Sequence, residues 1–250
     1  DSFDQKPGRP GTAFADTILD AVREEGVTVD WLLETHVHAD HLSAAPFLKK
    51  STGAAIVIGE HVRAVQDVFK RIYNLDYLTP DGRPFDKLVA EGESLPLGNL
   101  MVRVLHTPGH TPACVSYLIG DAAFVGDTLF MPDYGTARAD FPGGDARTLF
   151  RSIQKLLALP DATRVFLCHD YKAPGRNHYA WETTIGEERA NNPHLKLSED
   201  EFVAMRETRD KTLGMPVLIL PSIQVNIRAG ELPPPEDNGV RYLKLPLDAL

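Results

Sequence analysis

The apolar positions of this chain switch between two spacings. Over residues 12–25, Phe14, Ile18, Leu19 and Val22 recur three or four apart and Gly26 stands where a helix should stop, so the spacing predicts a helix. Residues 27–35, which carry Val27, Val29, Trp31, Leu32 and Leu33, read as a buried strand. A short helix over 42–50, a strand over 54–58 and a helix over 60–73 follow, the last with Val62, Val65, Phe69 and Ile72 on one face. Beyond a Pro/Gly-rich loop, the short apolar runs 100–105, 115–119 and 122–125 are bounded by turn residues and predict a sheet region. Asp145 caps a predicted helix over 145–159, and 164–167 is the next strand. Ser198 and Glu201 form a capping-box pattern that opens a helix to about residue 212, followed by a turn-rich tail over 216–250.

Helix and strand therefore alternate early and strands cluster later, which gives a mixed α/β (α+β) class with sheets covered by helices. We read residues 1–250 as one domain, with 171–250 as its C-terminal extension. The 250 residues, 43% of them hydrophobic, suffice for a sizeable core. No stretch approaches the roughly 18 uninterrupted apolar residues of a membrane helix, and the first ten residues have no apolar signal-peptide core. The expectation is a soluble protein with no membrane partner. A formal charge of −9 repels a phosphate backbone, and no basic stripe is interleaved with aromatics, so small molecules are expected as partners rather than nucleic acid. Cys114 and Cys168 are far apart and lack the spacing of a zinc knuckle or disulfide framework, which fits a reducing, cytoplasmic compartment.

The candidate chemistry is concentrated in Thr35-His36-Val37-His38-Ala39-Asp40-His41, directly after the apolar run. In an extended segment residues two apart point the same way, so His36 and His38 can face one ion while Val37 faces the core. Asp40 and His41 follow past the turn. So many polar groups are costly to bury without a partner, which a metal would supply. Three further ligand types each end an apolar run: His110 in Thr107-Pro108-Gly109-His110, Asp127 in Gly126-Asp127-Thr128, and His169 in Leu167-Cys168-His169-Asp170. Each alone is weak, since a lone histidine after a strand is usually a satisfied group and Gly-Asp is usually a turn. The combination supplies the specificity. His61, His106, His178 and His194 lack ligand spacing, and alternation along a strand would turn Cys168 away from His169 into the interior.

With these motifs in place, the chain resembles the metallo-β-lactamase superfamily, whose pattern is His-x-His-x-Asp-His followed by a lone His, a lone Asp and a last His. The resemblance implies an αββα sandwich with the metal site at the sheet edge. Such folds have strands before their first helix, so roughly 30 or more N-terminal residues are expected to be absent from this sequence, or the first sheet to be trimmed. Within the superfamily the chain is most similar to the persulfide dioxygenases. That likeness rests on the His36 motif, Asp127-Thr128-Leu129-Phe130 with Arg138-Ala139-Asp140-Phe141, and His169-Asp170-Tyr171 with Glu187-Glu188-Arg189 and Asn192-Pro193. Pro221 to Gly230 resembles that group's closing strand and turn. The insert 131–136 and the segment 172–181 are most like the bacterial branch called β-lactamase hydrolase-like.

That resemblance implies a single Fe(II) held by His36, His110 and Asp127, a two-histidine, one-carboxylate face that leaves positions open for oxygen chemistry. The implied reaction oxidises glutathione persulfide with O2 to a sulfite-level species and glutathione. His38, Asp40, His41 and His169 would then support the ligands or form a second metal site. Arg138 and Arg228 are candidates for the glutathione carboxylates and Tyr171 for a hydroxyl near the sulfur, Arg138 and Tyr171 counting as catalytic candidates; ordinary surface pairing is an equal alternative for them. The runner-up is a glyoxalase II-like thioester hydrolase with two Zn, Fe or Mn ions bridged by Asp127. A reading from another class is a non-catalytic metal-binding or sulfur-sensing module. A homodimer is compatible with the family, although no sequence feature measures it.

Overall fold

The computed structural model describes residues 2–249. In chain order the strands are β1 (Ser2–Asp4), β2 (Arg9–Gly11), β3 (Trp31–Leu33), β4 (Ala55–Gly59), β5 (Lys87–Val89), β6 (Ser94–Leu97), β7 (Leu100–His106), β8 (Val115–Ile119), β9 (Ala122–Phe124), β10 (Arg164–Phe166) and β11 (Glu182–Thr184). The helices are α1 (Ala13–Glu24), α2 (Ala45–Thr52), α3 (Val62–Ile72), α4 (Ala146–Leu157), α5 (Ile185–Asn191), α6 (Glu199–Asp210) and α7 (Ile219–Asn226). No helix among the described residues is long and apolar enough to cross a membrane. The chain forms two compact units, residues 1–88 with 214–250, and residues 89–213.

The first unit is built on a three-stranded sheet, β3-β4-β5, in which β3 and β4 run parallel. Ile56, Val57 and Ile58 of β4 are almost fully buried, and α3 buries Val62, Val65 and Phe69, the face its spacing predicts. Gln66 on the same face is also buried, but its amide is satisfied: Nε2 donates to the carbonyl of Ile227 at 2.9 Å and Oε1 accepts from the Gly82 amide at 2.9 Å.

Two expectations fail in this unit, and the helix that forms as predicted over 13–24 leaves its stripe exposed. The strand predicted over 27–35 shrinks to the half-buried Trp31–Leu33, because this edge strand pairs only with β4. The apolar stripe of α1 is not buried: Phe14 is 70% and Ile18 50% exposed, and Ala15 is the buried residue of that helix. The segment expected to be a closing strand is instead α7, buried at Ile219 and from Pro221 through Asn226. Buried Ser222, Gln224 and Asn226 alternate with Ile223 and Val225, so the sequence of this enclosed helix carries the two-residue period of a strand. Pro221 is tolerated because it lies in the first turn, where the missing N–H has no partner to lose.

The second unit carries a six-stranded sheet in the order β11-β10-β9-β8-β7-β6, antiparallel except for the parallel β9/β10 pair. Its core joins Val125 and Val165 to Leu149, Ile153 and Leu156 of α4, Ile185 of α5 and Phe202 of α6. Burying each such side chain contributes about 1.5–3 kcal/mol. The caps are as expected: the Asp145 carboxylate accepts from the Thr148 amide at 2.7 Å, and Ser198 and Glu201 complete a capping box on α6. Strands β1, β2, β5, β6 and β11 are additional to the predicted set.

Candidate metal centre

In the first unit, β3 ends at Leu33 and the Glu34 amide donates to the carbonyl of Val57 at 2.8 Å, so the following residues leave the sheet from a fixed point. His36 and His38 are both buried, with ring centroids 4.0 Å apart, and the rings of His38 and His41 lie 4.4 Å apart. His41 Nδ1 stands 3.2 Å from an Asp40 oxygen. His38, Asp40 and His41 each offer a ligand atom, all within 4.8 Å of one another.

Behind this cluster is a group that sequence reasoning missed. The Glu34 carboxylate accepts from the Ser43 hydroxyl and lies 3.6 Å from His38 Nε2. Burial works against its charged form, but His38 and Ser43 outweigh burial and hold the carboxyl below its ordinary value. Its only signal in the sequence is the spacing, two residues before His36.

In the second unit, His110 follows a turn at the end of β7. Gly109 makes that turn possible: its φ is +138°, and a Cβ there would lie 2.3 Å from the Leu149 Cα. The carbonyl of Arg138 can only accept, so the 2.8 Å contact with His110 Nδ1 puts the proton on that nitrogen and leaves Nε2 as a lone-pair donor. His110 Nε2 lies 3.7 Å from Oδ2 of Asp127, and His169 Nε2 lies 3.6 Å from Oδ1 of the same carboxylate. Both distances exceed a hydrogen bond. They are close to the separation of neighbouring ligands that each stand about 2.0–2.2 Å from one ion. The nitrogen and oxygen donor set thus fits a metal, with Asp127 turning a different oxygen toward each histidine.

His169 sits three residues beyond β10, in a loop fixed by its neighbour. The Asp170 carboxylate takes two N–H bonds from Arg176, at 2.5 and 2.6 Å, and one from the Ala180 amide at 2.7 Å. The Arg176 guanidinium holds that carboxyl far below the usual range. The ring of Tyr171 stacks on His169 at 5.8 Å, and Phe130 and Tyr134 extend the aromatic wall at 5.6 and 4.8 Å from Tyr171. Cys168, expected in the interior, is exposed. The strand ends at Phe166, so alternation no longer applies there.

The predicted arginines have other partners. Arg138 pairs with both oxygens of Asp140, at 2.6 and 2.7 Å. Arg228, in the first unit, lies 5.2 Å over the Tyr77 ring and donates to the carbonyls of Glu231 and Leu232 at 3.3 and 3.5 Å. The loop that carries Arg138, the backbone partner of His110, is itself held from α6, another contribution the sequence did not reveal. Buried Arg206 donates to the Thr136 carbonyl at 3.0 Å and to Asp210, whose other oxygen accepts from the Ala139 amide at 2.9 Å.

Comparison with known proteins agrees with this geometry. Residues 7–169 match the model of the metallo-β-lactamase superfamily. A probable metallo-hydrolase of Burkholderia pseudomallei is 57% identical, covering 99% of this chain and 88% of that protein. A β-lactamase hydrolase-like protein of Xylella fastidiosa is 55% identical over 99% of this chain, which spans only 58% of its length. Glyoxylase B2 of Dictyostelium discoideum is 52% identical, covering 100% of this chain and 87% of the relative. The mouse mitochondrial persulfide dioxygenase ETHE1 is 31% identical over 90% of this chain and 78% of its own. The crystal structure of ETHE1 from Myxococcus xanthus superposes with a TM-score of 0.71 at 32% identity, covering 89% of this chain and 87% of the other. The fold, the histidine and aspartate donors and these matches together make the chain a member of the metallo-β-lactamase superfamily, with a metal-binding site of histidine and aspartate residues.

Proposed function

We propose that the chain is an iron-dependent persulfide dioxygenase of the bacterial cytoplasm, oxidising glutathione persulfide with O2. His36, His110 and Asp127 would hold one Fe(II), the family's ligand order supplying the combination. Iron held there would supply open positions for a soft sulfur anion and for oxygen. The chain's own residues prepare that face. The Arg138 carbonyl keeps the His110 proton on Nδ1, so that Nε2 is ready as a ligand. Asp127 adds the negative charge.

Tyr171, exposed beside His169, offers a hydroxyl for the persulfide, and Phe130 and Tyr134 fix its ring from the side. Arg138 and Arg228 are the cations proposed to receive glutathione carboxylates, although Arg138 would have to be shared with Asp140. The observation that carries the reading is the His110–Asp127 pair with its tautomer fixed, in a chain similar to ETHE1 over most of its length. Oxygen uptake on glutathione persulfide tests it, and a chain that leaves oxygen untouched while cleaving glutathione thioesters refutes it.

One observation favours a second reading. Asp127 directs separate oxygens to His110 and His169, the arrangement a carboxylate needs to bridge two ions in a thioester hydrolase. The similarity to glyoxylase B2 points the same way.

A further inference from the structure

One side chain on α7 reaches the loop that carries His38 and His41 at three points. Asn226 is 4% exposed. Its amide nitrogen donates to the carbonyl of His38 at 2.9 Å and to that of His41 at 2.7 Å, and its amide oxygen accepts from the Ser43 amide at 2.8 Å. Both donors and the acceptor of one side chain are therefore spent on the two ends of a single loop. No other side chain of that size does this. Aspartate lacks the donors, serine has one, and glutamine places the same groups a methylene too far.

The support behind Asn226 is rigid. Helix α7 is buried through Asn226, and Gln66 holds the next carbonyl, that of Ile227. The turn after α7 packs directly against the start of α2: a Cβ on Gly230, which has φ +87°, would lie 2.6 Å from the Pro46 ring. The loop is thus clamped between its own continuation into α2 and a fixed amide.

We propose that Asn226 is a positioning residue for the metal centre: by fixing the carbonyls of His38 and His41 and the amide of Ser43, it sets the direction from which the His38, Asp40 and His41 side chains meet a divalent cation. The inference rests on the metal-binding reading and not on persulfide chemistry. It holds equally for a dioxygenase or a hydrolase. Without the clamp, two carbonyls and an N–H lose their partners in the interior, and the loop relaxes to satisfy them. Residues that orient ligands in this indirect way affect metal affinity by about 10- to 100-fold.

The test uses the full chain, stripped of metal and titrated with Co(II), whose visible spectrum reports ligand geometry. Asn226→Ala should bind Co(II) 10- to 100-fold more weakly, with an altered spectrum. Val225→Ala, which truncates a buried side chain of the same helix and leaves the Asn226 amide in place, should lose stability yet keep both affinity and spectrum. Equal losses in the two variants would reduce Asn226 to a packing residue and overturn the proposal, as would an Asn226→Ala spectrum and affinity matching the parent. Should Asn226→Ala not fold, or the parent not bind Co(II), amide hydrogen exchange on the parent decides the clamp itself. Protection of the Ser43 amide to the level of the α7 amides supports it, and exchange at an unprotected rate overturns it. Parent protein that binds no metal refutes the metal-binding reading separately.

Discussion

His110 donates its Nδ1 proton to the carbonyl oxygen of Arg138 at 2.8 Å, so the tautomer of this proposed ligand is written into the backbone of a loop 28 residues away. That loop is secured by the buried pair Arg206 and Asp210, which engages Thr136 and Ala139. Replacing Asp210 by alanine leaves a buried guanidinium without its partner and should cost about 3–5 kcal/mol of stability. Replacing both members with apolar residues should cost less. Urea denaturation of the single and double variants measures the difference.

Metal should stabilise the fold, because its ligands are organised only in the native chain. At about a hundred times its dissociation constant, a metal adds about 2.7 kcal/mol. Chelation should therefore lower the Tm, and restoring the ion should reverse the shift. Asp127→Ala, which removes the carboxylate facing both His110 and His169, should abolish that reversal and all activity. Differential scanning calorimetry with and without chelator reads it.

Glu188 is fully buried on α5, and burial pushes its carboxyl up to about 8. The folded chain therefore keeps a proton that the unfolded chain releases near the usual 4.5. The stabilisation is complete below the unfolded value and is lost as pH rises through the folded one, with a slope of at most about 1.4 kcal/mol per pH unit. Glu188→Gln keeps an acceptor for Asn192 and removes the titration. Its stability advantage over the parent should grow between pH 5 and 8, as measured by urea midpoints across roughly that range.

If glutathione carboxylates are met by Arg228, its truncation should raise KM by about tenfold with kcat little changed, the signature of lost uniform binding. Tyr171→Phe, in contrast, should act on kcat, because its hydroxyl is assigned to the reacting sulfur. Steady-state oxygen uptake for the two variants separates these effects.

What could be read in advance was local. The pairing of His36 with His38, the Asp145 cap and the Ser198–Glu201 box all depend on residues within a few positions of each other. What could not be read depends on distant partners. Asn226 reaches His38 across 188 positions and Arg206 reaches Thr136 across 70, distances at which no periodicity carries a signal. Helix α7 was hidden for another reason: its polar residues are buried and alternate with Ile223 and Val225, a strand's period. Helix α1 shows the converse, with a clear stripe that leaves Phe14 exposed in the described residues.

The most direct test of the central claim is to titrate metal-free protein with Fe(II) under anaerobic conditions and to assay oxygen uptake on glutathione persulfide at each loading. Activity that rises linearly and saturates at one iron per chain, about the content of a single facial triad, is the expected result. Saturation at two metals per chain, with thioester cleavage and no persulfide-dependent oxygen uptake, would contradict it.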